Sequence, residues 1–259
     1  MSKDIQHKTL MIDSDQSENA SYHFVIETDS SYLVKIEGKK DIEITVNVEV
    51  RNDSKFTCLV INENEATVRI NDIYTIGSDC LVQVAYSLLN NKPIELSSVF
   101  DLNGQGSDLH VLTASVSAVK KQFNQICNHN ASNTTANIDN YGVVLENGNC
   151  QMVVKNRINK GYKNCQTHQT SRLLTFGETS IGKILPILYI DDNEVAASHA
   201  CTIGQPDEQQ LYYLQSRGLT RKQAVQLITV GYLMPITKVI DNEDINNLLK
   251  EEIEKRVMD

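Results

Sequence analysis

The chain has 259 residues, 41% of them apolar and 6% aromatic, with no Trp and a formal net charge of −9. That length suits one large domain or two small ones and buries a substantial core. The negative balance argues against nucleic acid or an anionic membrane surface as partner. Val and Ile in place of aromatics lean the core towards strands.

Met1 to Leu10 contains no apolar segment of the kind that marks secretion. The longest apolar run, Ile184 to Ile190, falls far short of the ~20 residues needed to cross a bilayer. Six cysteines (Cys58, Cys80, Cys127, Cys150, Cys165 and Cys201) are scattered without C-x-x-C spacing, which reads as reduced thiols in a cytoplasmic protein. Residues 1–20 are polar and read as a loose terminus.

Residues 21–204 read as strands. Alternation is clearest in Asp41–Val50, where Ile42, Ile44, Val46, Val48 and Val50 share one face of a half-buried strand. Apolar runs follow at Phe56–Ile61, Ala66–Ile70 and Cys80–Leu89. Others lie near Ser98–Leu102, Leu109–Ser115, Gly142–Leu145, Gln151–Val154, Arg172–Phe176, Ile184–Ile190 and Val195–Ile203. Turn formers such as Asn103-Gly-Gln-Gly106 and Glu146-Asn-Gly-Asn149 separate them. Eleven Asn between positions 124 and 164 read as further corners, because Asn and Gly tolerate positive φ. Many short strands at even spacing fit an antiparallel sandwich or a parallel β-solenoid, and no repeat signature decides between them.

Residues 205–259 turn helical. Pro206, Asp207 and Glu208 suit the start of a helix that runs to Ser216, and Gly218 stands where a left-handed C′ residue is wanted. Thr220-Arg-Lys-Gln223 is a capping box for a second helix, with Ala224, Val225, Leu227 and Ile228 inward. Pro235 ends or kinks it, and Asp241 caps a third with Ile245, Leu248, Leu249 and Ile253 on one side. Seven acids against three basic residues make 241–259 locally negative.

At the junction between strands and helices stand His199 and Cys201. Residues two apart in a strand point to one face, so imidazole and thiol stand side by side. Such a pair can ligate iron or zinc, or can be a small core residue beside a hydrogen-bonded histidine, and both readings stay open here. Cys127 with His129, and Cys165 with His168, read as turn or surface residues. Nucleophilic catalysis needs an orienting third group and an oxyanion site, and neither is visible. Asp191-Asp192 is a turn and not the carboxylate cluster of a glycan-cleaving site. Asn103-Gly-Gln-Gly106 lacks the Gly-Lys-Ser/Thr that ends a phosphate loop.

Ser198-His-Ala-Cys-Thr-Ile-Gly204, followed by Glu208-Gln-Gln-Leu-Tyr-Tyr-Leu-Gln-Ser-Arg-Gly218, resembles the SufB/SufD family of iron–sulfur cluster assembly scaffolds. That family carries a Ser-His-Gly-Ala-Thr-Val-Gly-like segment and then a Tyr-Leu-x-Ser-Arg-Gly helix end. Weaker likeness appears at Asn128–Thr134, Thr167–Leu174 and Pro186–Ile190, so the resemblance runs roughly from Asn90 to Ile240. It implies a right-handed parallel β-helix with a short C-terminal helical domain. It also implies pairing with a SufB-type subunit or a second copy through the β-helix, and binding of a SufC-type ATPase by the helices, with Tyr212, Tyr213 and Arg217 as candidates. The matching histidine is His199, Cys201 is the nearest thiol, and a transient iron–sulfur cluster is the cargo, with no tightly bound cofactor. Such a protein is a SufD-like scaffold and not an enzyme; a minimal homodimeric SufB-like scaffold and a solenoid binding module are the other readings. Departures are specific: Ala197 replaces a Cys common in SufD-type sequences, Ala200 a Gly, Ile187 and Tyr189 two glutamates. Cys201 stands where the family usually has Ala, so no role for it is inherited.

Overall fold

Every ladder between strands is parallel. The computed structural model describes residues 6–234, 237 and 243–258. One sheet orders β1 (Gln6–Asp13), β3 (Ser30–Glu37), β5 (Lys55–Asn62), β7 (Leu81–Leu88), β9 (Asp108–Ser117), β11 (Thr135–Val144), β13 (Gln166–Thr175) and β15 (Ala196–Gly204). The other orders β2 (Asn19–Ile26), β4 (Ile42–Val50), β6 (Val68–Ile76), β8 (Ile94–Leu102), β10 (Lys120–His129), β12 (Asn149–Ile158) and β14 (Ile181–Ile190). The chain therefore crosses from one sheet to the other at each step and returns one strand further along. This is a parallel β-solenoid of about seven turns, and the sandwich is excluded.

Successive coils place Gln6 on Ser30 but Thr135 on Gln166, offsets of 24 and 31 residues. Corners of unequal length erase any fixed repeat, which is why none is legible in the sequence. Each strand sends alternate side chains into the lumen, as in β6, where Val68, Ile70, Asp72, Tyr74 and Ile76 are buried and Arg69, Asn71 and Ile73 are exposed. Inward apolar side chains stack from coil to coil; the rings of Tyr74 and Phe100 lie 4.9 Å apart.

Three helices follow: α1 (Glu208–Ser216), α2 (Arg221–Leu233) and α3 (Glu243–Met258). Asp207 caps α1 by accepting from the Gln209 N–H at 2.8 Å, and Gly218 has φ +96° beyond its end. The capping box is formed: the Gln223 N–H donates to Thr220 Oγ1 and the Thr220 N–H to Gln223 Oε1. Leu233, Ile245, Leu249 and Ile253 pack on the outer face of the odd-numbered sheet, against Leu59, Ala85, Leu112 and Val143. Strands β5, β7 and β9 are thus buried on both faces, which accounts for their unbroken apolar runs. Leu227, read as inward, is 47% exposed; Leu248 lies at the rim. Pro235 and Asp241 lie outside the described residues.

Two other readings change. Strand β1 occupies much of the stretch 1–20, its inward Leu10 and Ile12 set among polar outward neighbours. The Asn residues divide by role. Asn133, Asn147 and Asn164 are corners with φ of 56°, 63° and 57°. Asn124, Asn128 and Asn137 face outward from strands, and Asn140 and Asn156 are buried in the lumen. Adjacent corners also touch tightly: a Cβ on Gly104 would sit 1.9 Å from the Ser78 nitrogen. Gly104→Ala should destabilise the fold by about 3 kcal/mol, since backbone must shift. Urea unfolding measures it, and an unchanged midpoint would show that the corner yields.

Candidate functional site

The solenoid ends at β14 and β15, the last strands of their sheets. Backbone hydrogen bonds run along the solenoid axis, so both strands present a free edge at this end. The two edges differ. β14 carries Lys183 and Pro186, a charge and a missing N–H of the kind that blunts pairing, whereas β15 has neither charge nor proline. Eight of the nine β15 residues are exposed.

His199 pairs in register with Gln169, and Cys201 with Ser171. Gln169 and Ser171 point into the lumen and are buried. His199 and Cys201 therefore stand on the inward face of the last coil, where no further coil covers them. Both are exposed, and among the described residues the His199 ring has no hydrogen-bond partner. In this structure His199 is an exposed residue on an edge strand and is not enclosed by the core. Partial burial against the coil beneath raises the Cys201 thiol above its ordinary value, opposed by a backbone hydrogen bond at Ser171. Beneath them, Gln169 Nε2 donates to the carbonyls of Val154 and Ile187 at 3.3 and 3.2 Å.

Among the described residues no three His, Cys, Asp or Glu side chains converge to hold a metal. One chain offers two donors at this end, an imidazole and a thiol, which suit iron in kind. Four-coordinate iron needs further donors from outside the chain.

The other Cys–His spacings land elsewhere. Cys127, His129 and Cys165 are buried, contrary to a surface role, and Thr134 Oγ1 joins His129 Nδ1 at 2.7 Å to Cys165 Sγ at 3.3 Å. Burial depresses His129 to about 4, so it is neutral. His168 faces outward and meets Ser198 Oγ at 2.7 Å. At the helical end, Tyr212 and Tyr213 are 75% and 56% exposed. The Arg217 guanidinium lies 5.2 Å from the Tyr213 ring centre, and Tyr213 borders a shallow groove with Asp207, Gln210, Leu214 and Ile228. The lumen also holds an internal row of polar side chains that periodicity does not reveal. Tyr86, Thr113, Asn140 and Ser171 stack in one register row that ends on Cys201.

The family model described as SUF system FeS cluster assembly, SufBD core domain, matches residues 2–232. The chain is 28% identical over 183 residues to the iron–sulfur cluster assembly protein SufD of Bacillus subtilis (strain 168), covering 70% of this chain and 42% of that protein. It is 29% identical over 132 residues to an iron–sulfur cluster assembly SufBD family protein of Mycobacterium tuberculosis (strain ATCC 25618 / H37Rv), covering 50% of this chain and 16% of the other. A SufBD family protein of Staphylococcus epidermidis (strain ATCC 12228 / FDA PCI 1200) matches at 24% over 155 residues, 58% of this chain and 33% of its own length. The chain spans less than half the length of these relatives. With the family model matched along nearly the whole solenoid and into α2, the chain belongs to the SufBD core family of iron–sulfur cluster assembly proteins.

Proposed function

We propose that this chain is a SufD-like scaffold subunit on which an iron–sulfur cluster is assembled as transient cargo, in the cytoplasm, and that it is not itself an enzyme. The observation that carries the reading is the end of the solenoid. An uncharged edge strand presents His199 and Cys201 on the inward face, a borderline and a soft donor that do not by themselves complete a coordination set. A second subunit pairing along β15 would supply the missing donors and bury the edge. That subunit is SufB-type or a second copy of this chain. No helix among the described residues is long and apolar enough to cross a membrane.

The helices take the SufC-type ATPase. Tyr213 and Arg217 already stack on one another, so less side-chain freedom is lost when they are covered, and Tyr and Arg dominate interface energetics. Tyr213→Ala with Arg217→Ala should lower ATPase retention at least ~10-fold, the scale of about 1.4 kcal/mol or more at a hot spot. Co-purification with measured melting temperature checks it, and unchanged retention moves the interface elsewhere. Purification from the native host, with bound proteins identified by mass, tests the whole reading. An ATPase and a scaffold-type subunit are expected, and their joint absence would overturn it.

A further inference from the structure

The helices cover the odd-numbered sheet, and the outer face of the even-numbered sheet has no such cover among the described residues. Its charge is divided along the solenoid axis. On β4, β6 and β8 the outward side chains include Glu43, Glu49, Glu95 and Asp101 against Arg69 alone. On β10, β12 and β14 they include Lys120, Lys155, Arg157 and Lys183 and no acid. Arg51 meets Glu49 at 2.7 Å and Arg69 lies 3.6 Å from Glu95. No acid lies within ion-pair distance of the four bases among the described residues, although the chain as a whole is strongly acidic.

Apolar side chains run between the two halves. Ile73, Val99 and Ile126 pair in register as one outward row, and Val153 with Leu185 continues it at the next outward position. Ile73 and Leu185 are 42% and 39% exposed. From β4 to β14, strands ~4.8 Å apart and about 30 Å long give the face about 700 Å². A specific interface buries about 800 Å² per partner, so the face is near the size a stable pair needs.

We propose that this face is an interface between two copies of the chain, laid face to face and antiparallel about a two-fold axis perpendicular to the sheet. Such an axis exchanges the first coils with the last, so each acidic half lies over the partner's basic half and one patch serves both copies. Opposite charges at the two ends, with apolar side chains between, make the face complementary to itself, which singles out a second copy as its occupant. The charges also fix the orientation, because a parallel arrangement would set base on base. A hollow lined by Arg69, Asn71, Ser97, Gln122 and Asn124 lies within the face and stays wet in the pair, as polar parts of interfaces do. The contact is separate from edge pairing at β15 and stands whichever subunit pairs there.

Charge reversal in the full chain tests it. Glu43→Lys, Glu49→Lys and Glu95→Lys together should weaken self-association at least ~10-fold, because like charges then meet across the interface. Lys155→Glu, Arg157→Glu and Lys183→Glu together should do the same. Mixing the two variants should restore association, since the reversed halves then face each other. Sedimentation of each variant, the mixture and the wild type reads this, with melting temperature as the check on folding. β15 is unaltered in all four samples, so edge pairing produces neither the loss nor the rescue. Variants that associate as the wild type does, or a mixture no better than either variant alone, would overturn the proposal. So would a wild-type face that holds only a different protein from the host, released by the same reversals. Should a variant fail to fold, salt decides on the wild type. This contact should weaken as ionic strength rises from about 0.05 to about 0.5 M, whereas backbone pairing along the uncharged β15 should not, and self-association insensitive to salt would overturn it.

Discussion

Replacing His199 with Ala should abolish cluster assembly while leaving the fold intact. The ring is exposed on an edge strand and its removal opens no cavity, so stability should change by no more than about 0.5 kcal/mol. Its effect on cargo should be large. The proposed assignment makes His199 a donor to the cluster, and losing even an outer residue around a metal costs on the order of 10–100-fold in affinity. Anaerobic reconstitution of the complex followed by visible absorbance reads the cluster, and melting temperature reads the fold. A variant that still assembles cluster fully would falsify the site assignment. One that mainly unfolds would return His199 to a structural role.

Stability should fall towards neutral pH from both sides, because two buried groups titrate in opposite senses. Burial raises Asp72 from 3.8 to about 6, despite hydrogen bonds from Ser98 and Tyr86 that favour its charge. A raised folded-state value means the stability is present below pH 4 and lost as pH rises through 6. Two pH units correspond to about 3 kcal/mol. Burial lowers Lys121 from 10.5 to about 7, with its ammonium donating to the Leu88 and Asn90 carbonyls at 2.6 Å. A lowered value means the stability is present above pH 10.5 and lost as pH falls through 7, a loss of about 5 kcal/mol. Asp72→Asn should flatten the acid limb and Lys121→Met the alkaline limb. Each should raise stability at pH 7 by about 1–3 kcal/mol, the Met less because two carbonyls lose a donor. Urea unfolding from pH 4 to 10 provides the test. Profiles unchanged by both substitutions would mean that these groups reach solvent more freely than their burial implies.

What the sequence conceals has one physical source. Strand β4 is legible because its inward positions are all Ile or Val. Strand β10 is not, because Lys121, Gln125 and His129 point inward while Ile126 points outward, inverting the usual pattern. Much of β11 and β13 hides for the same reason, with Asn140, Thr167, Gln169 and Ser171 inside. The side chains that mask these strands are those that build the polar lumen. His199 and Cys201 were legible as a pair on one face, since that needs only the two-residue period of a strand. Their exposure was not, because it depends on the coil count ending there.

The two edges of the odd-numbered sheet also differ in how readily they would accept a further strand. At the first coil, β1 carries Lys8, whose ammonium donates to the Tyr32 hydroxyl at 3.1 Å, and the rings of Phe24, Tyr32 and Phe56 pack edge to face behind it. A lysine on an edge strand discourages a further strand from adding. At the last coil, β15 offers nothing of the kind. Strand addition along the axis is therefore favoured at the β15 edge over the β1 edge. Were Lys8 replaced by Val, the rod would gain a second receptive end, and head-to-tail addition without a closing symmetry grows fibres rather than pairs.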